Sequence, residues 1–451
     1  MRAELAAAAQ ASPAAYTDIR FERRRGVKIL RGGRELIAVA EYSTAGGLVR
    51  CQAGAAWGSS TFETPDQIAA AIRQAHELAL IASRRPAPPI PRAPAREVEI
   101  QCLAQADPVS VSLARKLDLT DLVASSLLDA DRRIADVRVQ YTDELVETLV
   151  ATSEGIALSE HRPEFTLSVM AAADEAGTTE RVVDSIAARS WSDLESGAAT
   201  APAIAERAVS LLHAVPLRGG RYPVILAPRA AGLLVHRAIG HLCEADGDSD
   251  VRSPIPAGAR IGPDALTIGD DPTADGLRGT RAFDHEGLKP RKTILVQHGV
   301  VVGHVHTRST AALAGVAPTG SARGSGLGLP RARLSNTYVA AGPVDPADLF
   351  EGLTAGLLIE ELSGISLEQG GVALRAGFAR MVRHGEAGEP VKGVTLTGDA
   401  LTLLGQLDLI GSDFEWDHSA AWCDRPGAGR IPVSSGAPHL RLLEVMVGDT
   451  A

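Results

Sequence analysis

Cysteine is scarce in this chain of 451 residues, which has only Cys51, Cys102, Cys243 and Cys423. The chain also has no apolar run that approaches the length of about 20 residues that a membrane-spanning helix needs. The first twenty residues are too polar, and their apolar stretch too short, for a secretory signal. Few cysteines in a long chain without a secretory signal indicate thiols or metal ligands, and we expect a cytoplasmic location.

Concentrated positive charge is absent as well. The 45 basic and 55 acidic residues are well mixed along the chain and give a formal charge of -10. Nucleic acids and anionic lipids are recognised through clustered lysines and arginines, so we expect neither nucleic acid nor membrane as a partner. With 45% hydrophobic side chains, a chain of this length can bury a large core in two or three domains.

The first half of the chain carries signals for both strands and helices. Apolar and polar residues alternate over residues 17–60, with turn signals at Gly32-Gly33 and Gly46-Gly47, which predicts an antiparallel meander. Thr64 to Gln67 has the pattern of a helix start and predicts a helix that ends near Ser83. Proline-rich residues 86–94 predict an extended linker. Helices are also predicted over 112–129 and 201–213, and strands around 135–141, 147–151 and up to 170.

Strand signals dominate the second half. Residues 293–297 and 300–306 flank His298-Gly299, a two-residue turn typical of hairpins, and further strands are predicted at 394–397 and 440–447. The glycine-rich loop at 320–330 does not open a clear helix, so we expect no nucleotide cradle there. The fold class is predicted as α+β. An N-terminal mixed α/β domain spans 1–214, and a mostly antiparallel β domain spans 215–451 and carries the metal-binding helix.

The residues from His236 to Asp246 place two imidazoles, a thiol and two carboxylates within one short segment. A catalytic zinc site needs about three protein ligands and an open position, and imidazole and thiolate are preferred donors. On a regular helix His236 and His241 lie about 140 degrees apart, because each residue turns the helix by about 100 degrees. A kink or π-bulge at Gly240 would bring the rings together. The alternative is a pair of ordinary helix histidines.

Several segments in order match the pattern of one known family. HRAIGHLCEAD resembles the family's metal-binding helix, HExxGHxxEGD, and further matches are Phe283–Gly287, the hairpin ILVQHGVVVGHVHTRSTA, Asn336–Tyr338, Pro390–Gly393, Leu396–Gly398, the Cys423 segment and Pro432–Leu440. Over nearly its whole length the chain resembles the TldD/PmbA family of cytoplasmic metallopeptidase-like proteins.

The resemblance implies metal ligation by His236, His241 and Cys423, a set that fits a catalytic zinc site with an open position. The expected cofactor is zinc, with iron or another divalent metal as the alternative. The resemblance also implies a small peptide or peptide-like substrate and a dimer, formed with a second copy or with a paralogue. Cys243 lies two residues beyond His241 and is predicted to be a packing thiol.

Arg237 departs from the family pattern, which has Glu at this position to move the proton of the metal-activated water. A guanidinium stays protonated and cannot act as a base, although it can hold a substrate carboxylate. In one interpretation the chain is a hydrolase whose base is supplied by the metal hydroxide itself or has moved to another carboxylate. Glu244 and Asp246 are the nearest candidates for that carboxylate, followed by Asp284 and Glu286. Glu244 and Asp246 have a second possible role, in which they orient the ligand histidines.

In the other interpretation the chain is a catalytically silent partner subunit, like the PmbA (TldE) side of the family. That side generally lacks the paired histidines, which this chain retains, so the hydrolase is favoured. Three further histidines have possible roles. His304 and His306 are predicted to be a surface pair on one face of a strand rather than a metal pair, and His285 to be a loop residue rather than a proton shuttle.

Overall fold

The computed structural model describes residues 1–83, 90–101, 107–246, 255–368, 371–425 and 427–449. Cys102 and residues 86–89 of the predicted proline-rich linker lie outside these ranges. Residues 90–94 belong to no helix or strand. Within the described ranges, no helix is both long enough and apolar enough to cross a membrane.

The first half of the chain combines helices with long strands. Its helices are α1 (Arg2–Gln10), α2 (Ile68–Ala82), α3 (Leu113–Ala130), α4 (Trp191–Ala198) and α5 (Pro202–Leu212). Its strands are β1 (Tyr16–Gly32), β2 (Glu35–Ala53), β3 (Ala56–Phe62), β4 (Arg96–Ile100), β5 (Ile134–Thr152), β6 (Ile156–Glu175) and β7 (Thr178–Ala188).

Short strands make up most of the second half. Its helices are α6 (Pro228–Ala238), α7 (Arg308–Ala314) and α8 (Ala400–Gly405). Its strands are β8 (Val215–Pro216), β9 (Gly220–Leu226), β10 (Ile268–Asp270), β11 (Thr293–Gln297), β12 (Val300–Val301), β13 (Ala322–Arg323), β14 (Arg331–Ala332), β15 (Asn336–Val339), β16 (Ala355–Glu368), β17 (Gly371–Arg383), β18 (Glu386–Lys392), β19 (Val394–Gly398), β20 (Leu407–Ile410), β21 (Glu415–Trp416), β22 (Trp422–Arg425), β23 (Gly429–Pro432), β24 (Ser434–Ala437) and β25 (Leu440–Asp449).

The strands of the first half form one sheet in the order β3-β2-β1-β5-β6-β4, with β7 also on β6. The predicted meander is confirmed by the antiparallel pairs β1–β2 and β2–β3. The predicted turn at Gly46-Gly47 is wrong, because β2 runs straight through both glycines. A Cβ on Gly47 would lie 2.1 Å from the ring of Phe62, so this glycine makes room for a side chain rather than for a turn.

The predicted helices of the first half are confirmed. Thr64 and Gln67 form the expected capping box at a short 3-10 turn that leads into α2. The side chain of Ser112 accepts a hydrogen bond from the amide of Arg115 and caps α3. Apolar residues of α3, α4 and α5 share one core cluster with β5 and β6, so these helices cover one face of the sheet.

The second half contains two larger sheets, in the orders β12-β11-β10-β15-β24-β21 and β16-β9-β25-β19-β17-β18-β8, with β20 also on β25. Most pairings are antiparallel, and the α+β class is confirmed. The two sheets have all their strands after residue 214, and the first sheet has all of its strands before residue 189. This division supports our proposal of a domain boundary near residue 215.

The hairpin turn at His298-Gly299 is confirmed. Both residues have positive φ, 50 and 71 degrees, as a two-residue turn of type I′ requires. The strand predicted to continue to His306 is wrong, because β12 ends at Val301. Beyond it, Val305 pairs with Glu244, within the predicted metal-binding segment.

Candidate metal centre

Helix α6 carries His236 into the interior of the second half. Pro228 occupies the first turn, where its missing N–H costs nothing. Ala231, Leu234 and Val235 are buried in the main core cluster. Gly232 faces β24, and a Cβ there would lie 3.1 Å from the backbone nitrogen of Gly436. This close packing fixes the end of the helix, and His236 is only 1% exposed.

The two histidines meet because α6 stops between them. The helix ends at Ala238, and a 3-10 turn from Gly240 to Cys243 carries His241 back toward His236. The ring centroids are 5.0 Å apart. A break near Gly240 was expected, but its form is a helix end and not a π-bulge within a continuous helix. A Cβ on Gly240 would lie 2.5 Å from Leu334, so this turn needs glycine.

Cys423 comes from the hairpin of β22 and β23, far along the chain. Its side chain is fully buried, and its Sγ lies 3.5 Å from Nε2 of His241. One donor atom each from His236, His241 and Cys423 lie within 4.8 Å of one another. Among the described residues these three form the one group of His, Cys or carboxylate side chains compact enough to hold a metal ion.

The environment of His236 fits a metal ligand. Its Nδ1 lies 2.9 Å from the hydroxyl of Thr337, and that hydroxyl donates to Asp270 at 3.4 Å. Since the hydroxyl proton is used on Asp270, Nδ1 donates to Thr337 and Nε2 carries the lone pair. Nε2 is buried, and no hydrogen-bond partner for it is found in the described structure. Burial lowers the pKa of His236 and keeps the ring neutral, the form that binds metals.

His241 and Cys423 form a charged pair in the absence of a metal. Burial alone would lower the pKa of His241, but the Cys423 thiolate and the Glu244 carboxylate outweigh it and raise the pKa to about 10. Burial likewise opposes thiolate formation at Cys423, but His241 and Arg333 hold its pKa well below the usual range. Metal binding would displace the proton of His241, whereas the sulfur of Cys423 is already deprotonated.

Arg333 stabilises the thiolate of Cys423. Its guanidinium is fully buried and donates to the Sγ of Cys423 at 3.1 Å and to the carbonyl of the same residue at 2.7 Å. Hydrogen bonds from a cation to a thiolate stabilise the charged form. Arg333 therefore fixes both the position and the charge state of the third donor.

Glu244 lies behind His241 and is fully buried. Its carboxylate accepts hydrogen bonds from Nδ1 of His241 at 3.0 Å and from the amide of Leu334 at 3.1 Å, and it pairs with Arg425 at 2.8 Å. Asp246 lies next to it, accepts from the amide of Ala332 at 3.0 Å and faces Arg425 at 3.7 Å. Burial raises the pKa of Asp246. Neither carboxylate belongs to the group of donor atoms that could hold a metal.

Arg237 projects from α6 toward β22. Its Nη2 donates to the carbonyl of Trp422 at 2.9 Å, directly before Cys423. The side chain is half-buried. Arg237 therefore links the helix of His236 to the strand of Cys423, and its positive charge acts on the ring of His236.

Asp284 and Glu286, the more distant candidates for a base, serve the backbone and other ions. Asp284 accepts from the amides of Glu286, Leu288 and Ala322 at 2.8 to 3.1 Å. Glu286 pairs with Arg50 at 3.1 Å. Both lie outside the compact donor group.

The remaining histidines also lie outside the donor group. His304 and His306 have rings 6.2 Å apart, and His306 is only 8% exposed. The prediction of a surface pair on a strand is therefore wrong, because the chain turns inward after β12. His285 is a half-buried loop residue whose Nδ1 lies 2.7 Å from a guanidinium nitrogen of Arg20. Cys243 is fully buried in the apolar core, and burial raises the pKa of its thiol to about 12.

Three residues beside the donor group were not singled out from the sequence: Thr337, Arg333 and Arg425. Thr337 belongs to the Asn336–Tyr338 segment, which contributed to the family resemblance, so a signal for it was present. Arg333 and Arg425 have no comparable signal, because buried arginines cannot be told from surface ones by composition. Their partners are all distant in sequence.

Comparison with known proteins identifies relatives over the whole chain. Residues 106–212 match the PmbA/TldA metallopeptidase central domain, and residues 219–449 match the PmbA/TldA metallopeptidase C-terminal domain. A protein of Synechocystis sp. named a metalloprotease is 32% identical over 98% of this chain and 96% of its own. A zinc metalloprotease TldD homolog of Saccharolobus solfataricus is 27% identical over 72% of this chain and 74% of its own.

Two solved structures share the fold. A Thermotoga maritima protein has a TM-score of 0.79 at 20% identity and covers 96% of both chains. TldE from Thermococcus kodakarensis has a TM-score of 0.75 at 17% identity, over 96% of this chain and 97% of its own. At such identities these structures show the fold alone. The matching family models and the full-length relative show the family: the chain belongs to the PmbA/TldD metallopeptidase family.

Proposed function

We propose that this chain is a metal-dependent hydrolase that cleaves a C–N bond of a small or unfolded peptide or peptide-like substrate. One observation carries the proposal: three donors converge, and one of them, the buried Nε2 of His236, has no hydrogen-bond partner in the described structure. A buried polar nitrogen without a partner is costly unless a ligand occupies it. The names of the relatives, metalloprotease and zinc metalloprotease, agree with the proposal.

The ligand set favours zinc. Two imidazoles and a thiolate suit this borderline-soft ion, and three protein ligands leave a position for water or substrate. Zinc bound there would polarise the scissile carbonyl and lower the pKa of its water to about 7. Iron or another divalent metal is the alternative, and metal analysis distinguishes them.

The neighbouring residues have separate roles in this proposal. Glu244 holds His241 in one tautomer, because its carboxylate accepts the proton of Nδ1. Both oxygens of Glu244 are already engaged, and Asp246 supports Arg425. Arg237 cannot accept a proton, but its remaining N–H groups can hold a substrate carboxylate beside the metal. The substrate class that fits is a short acidic or free-carboxylate amide, such as an N-acylated amino acid or a peptide intermediate.

A survey of substrates tests this function. Zinc-loaded protein is incubated with short peptides and N-acylated amino acids, each as the free acid and as the C-terminal amide, and products are detected by mass. We expect cleavage of free acids in preference to amides, and none with a Cys423→Ala variant. Absence of cleavage in the whole series by metal-loaded protein would contradict the proposal.

A second candidate function is that of a silent partner subunit, and Arg237 is the observation that favours it. In that case the chain forms a heterodimer with an active paralogue, whereas a hydrolase could work as a homodimer. Mixing the purified chain with a paralogue from the same organism separates the two. A partner subunit would raise peptide cleavage by the paralogue and show none alone, and its own Cys423→Ala variant would leave that stimulation unchanged.

Thr337→Val is expected to lower zinc affinity by about 10- to 100-fold, as loss of a ligand's supporting hydrogen bond commonly does. The valine keeps the shape of the side chain but no longer accepts the proton of His236 Nδ1. The measurement is competition with a chromophoric chelator. Thr120→Val is the matched control, because Thr120 is equally buried and hydrogen-bonded, to Arg31 and Leu117, outside the metal centre. Equal zinc affinities in the two variants would show that Thr337 does not support the metal ligand.

A further inference from the structure

A small internal cavity lies where the first sheet meets the second half of the chain. Its volume is about 20 Å³, enough for about one water-sized particle. The charged residues that line it are Glu22 and Arg24 of β1, Glu160 and Arg162 of β6, and Arg281 and Arg323 of the second half. Gly324 and the ring of His285 complete the wall on that side.

The charges around this cavity do not balance. Arg24 is neutralised by Glu22 and Glu144, each at 2.9 Å. Arg162, Arg281 and Arg323 form no ion pair with any described residue. Glu160 is the remaining carboxylate of the lining, and it accepts a hydrogen bond from the amide of Ala282 at 3.0 Å. Within the lining three cations thus face one carboxylate, while Asp270 and Asp284 act on Arg281 from outside it. Arginines in a largely buried space without a close ion pair to a described residue are costly, and an anion between them would lower that cost.

The guanidinium groups are also short of acceptors. Arg281 is 5% exposed, and its Nε–H has no hydrogen-bond partner in the described structure, as is true of Nε–H of Arg162. Arg323 is 3% exposed and reaches only carbonyl oxygens, those of Leu334 and Pro432, each at 2.8 Å. Burial, followed by the neighbouring arginines, lowers the pKa of Arg323 well below its usual range, against the opposing effect of Asp270.

His285 adds a neutral donor. Its Nδ1 accepts from a guanidinium nitrogen of Arg20 at 2.7 Å and from the amide of Gly324 at 3.0 Å. Because Nδ1 is an acceptor twice, the proton of the neutral ring lies on Nε2. Burial and the surrounding arginines hold the pKa of His285 well below its usual range, so the ring stays neutral. The wall therefore presents N–H donors from His285 and from the arginines.

We propose that this cavity binds one small monovalent anion of the halide class, held by Arg281, Arg323 and His285. Its small volume suits one small ion. The anion would neutralise charge contributed by both β6 and the second half of the chain. It would thereby stabilise the junction between the first sheet and the metal-bearing half, in proportion to its occupancy.

Bromide replaces chloride chemically and can be located by anomalous X-ray diffraction. Crystals of the full chain grown in sodium bromide are expected to show an anomalous peak in the cavity, within hydrogen-bond distance of Arg281 or Arg323. The melting temperature of the wild type is expected to rise by a few degrees when chloride replaces gluconate at constant ionic strength. A cavity that is empty or filled by water in bromide crystals would overturn the proposal.

The variant Arg281→Gln is expected to lose both the bromide peak and the chloride dependence of melting. Arg260→Gln is the control, because Arg260 is an exposed arginine paired with Asp264 and is expected to keep both. Should Arg281→Gln fail to fold, the bromide peak in the wild type still decides the question. A chloride effect that is equal in a folded Arg281→Gln protein and the wild type would count against the site.

Discussion

Replacing Arg237 with Glu is expected to raise the hydrolysis of ordinary peptides by about 10²- to 10⁴-fold, the usual contribution of a positioned general base. Arg237 extends from the same turn as His236 and contacts the backbone beside Cys423, so a carboxylate at this position would stand next to the metal donors. The donor group itself contains no carboxylate, and Glu244 is fully engaged behind His241. A proton acceptor is thus the missing part.

The assay uses C-terminally amidated peptides, so that loss of the positive charge does not weaken binding of a substrate carboxylate. Arg237→Gln is the matched control, because it removes the charge without adding a base. The double variant Arg237→Glu, Cys423→Ala tests whether any gain depends on the metal. Equal kcat/KM values for Arg237→Glu and Arg237→Gln would show that the base was not what the chain lacked. On free-acid substrates the order of kcat/KM values reverses if Arg237 binds the substrate carboxylate. The wild type then has the highest kcat/KM of the three proteins.

Local patterns in the sequence predicted those parts of the fold that depend on local chemistry. The capping box of Thr64 and Gln67 and the turn at His298-Gly299 were predicted because a few adjacent residues determine them. The turn predicted at Gly46-Gly47 was wrong for the opposite reason, because the role of these glycines depends on packing and not on adjacent residues. A glycine that bends the chain and a glycine that admits a ring look alike in sequence, and only the packing of Phe62 distinguishes them.

The metal centre shows the same limit at longer range. His236 and His241 are near in sequence, and their convergence followed from the expected break at Gly240. Cys423 is separated from His241 by 182 positions and was reached only through the family resemblance. Thr337 and Arg333 complete the surroundings of two ligands through contacts that no local pattern encodes. Residue type and spacing thus indicate ligands, whereas the residues that orient them require the structure.

Cys423→Ala is expected to reduce bound zinc from about one ion per chain to near zero after dialysis. Loss of a direct ligand should cost more than the about 10- to 100-fold that loss of an outer hydrogen bond costs. Cys243→Ala is the matched control, since both thiols are fully buried but only Cys423 belongs to the donor group. Metal content is measured by mass spectrometry of the purified proteins, and melting curves verify that both variants fold. His241→Ala should behave as Cys423→Ala does. If wild type and Cys423→Ala retained the same metal content, or the wild type bound none, the three donors would not be a metal site. The hydrolase would then lose its support, and the silent partner subunit would be the better account of this chain.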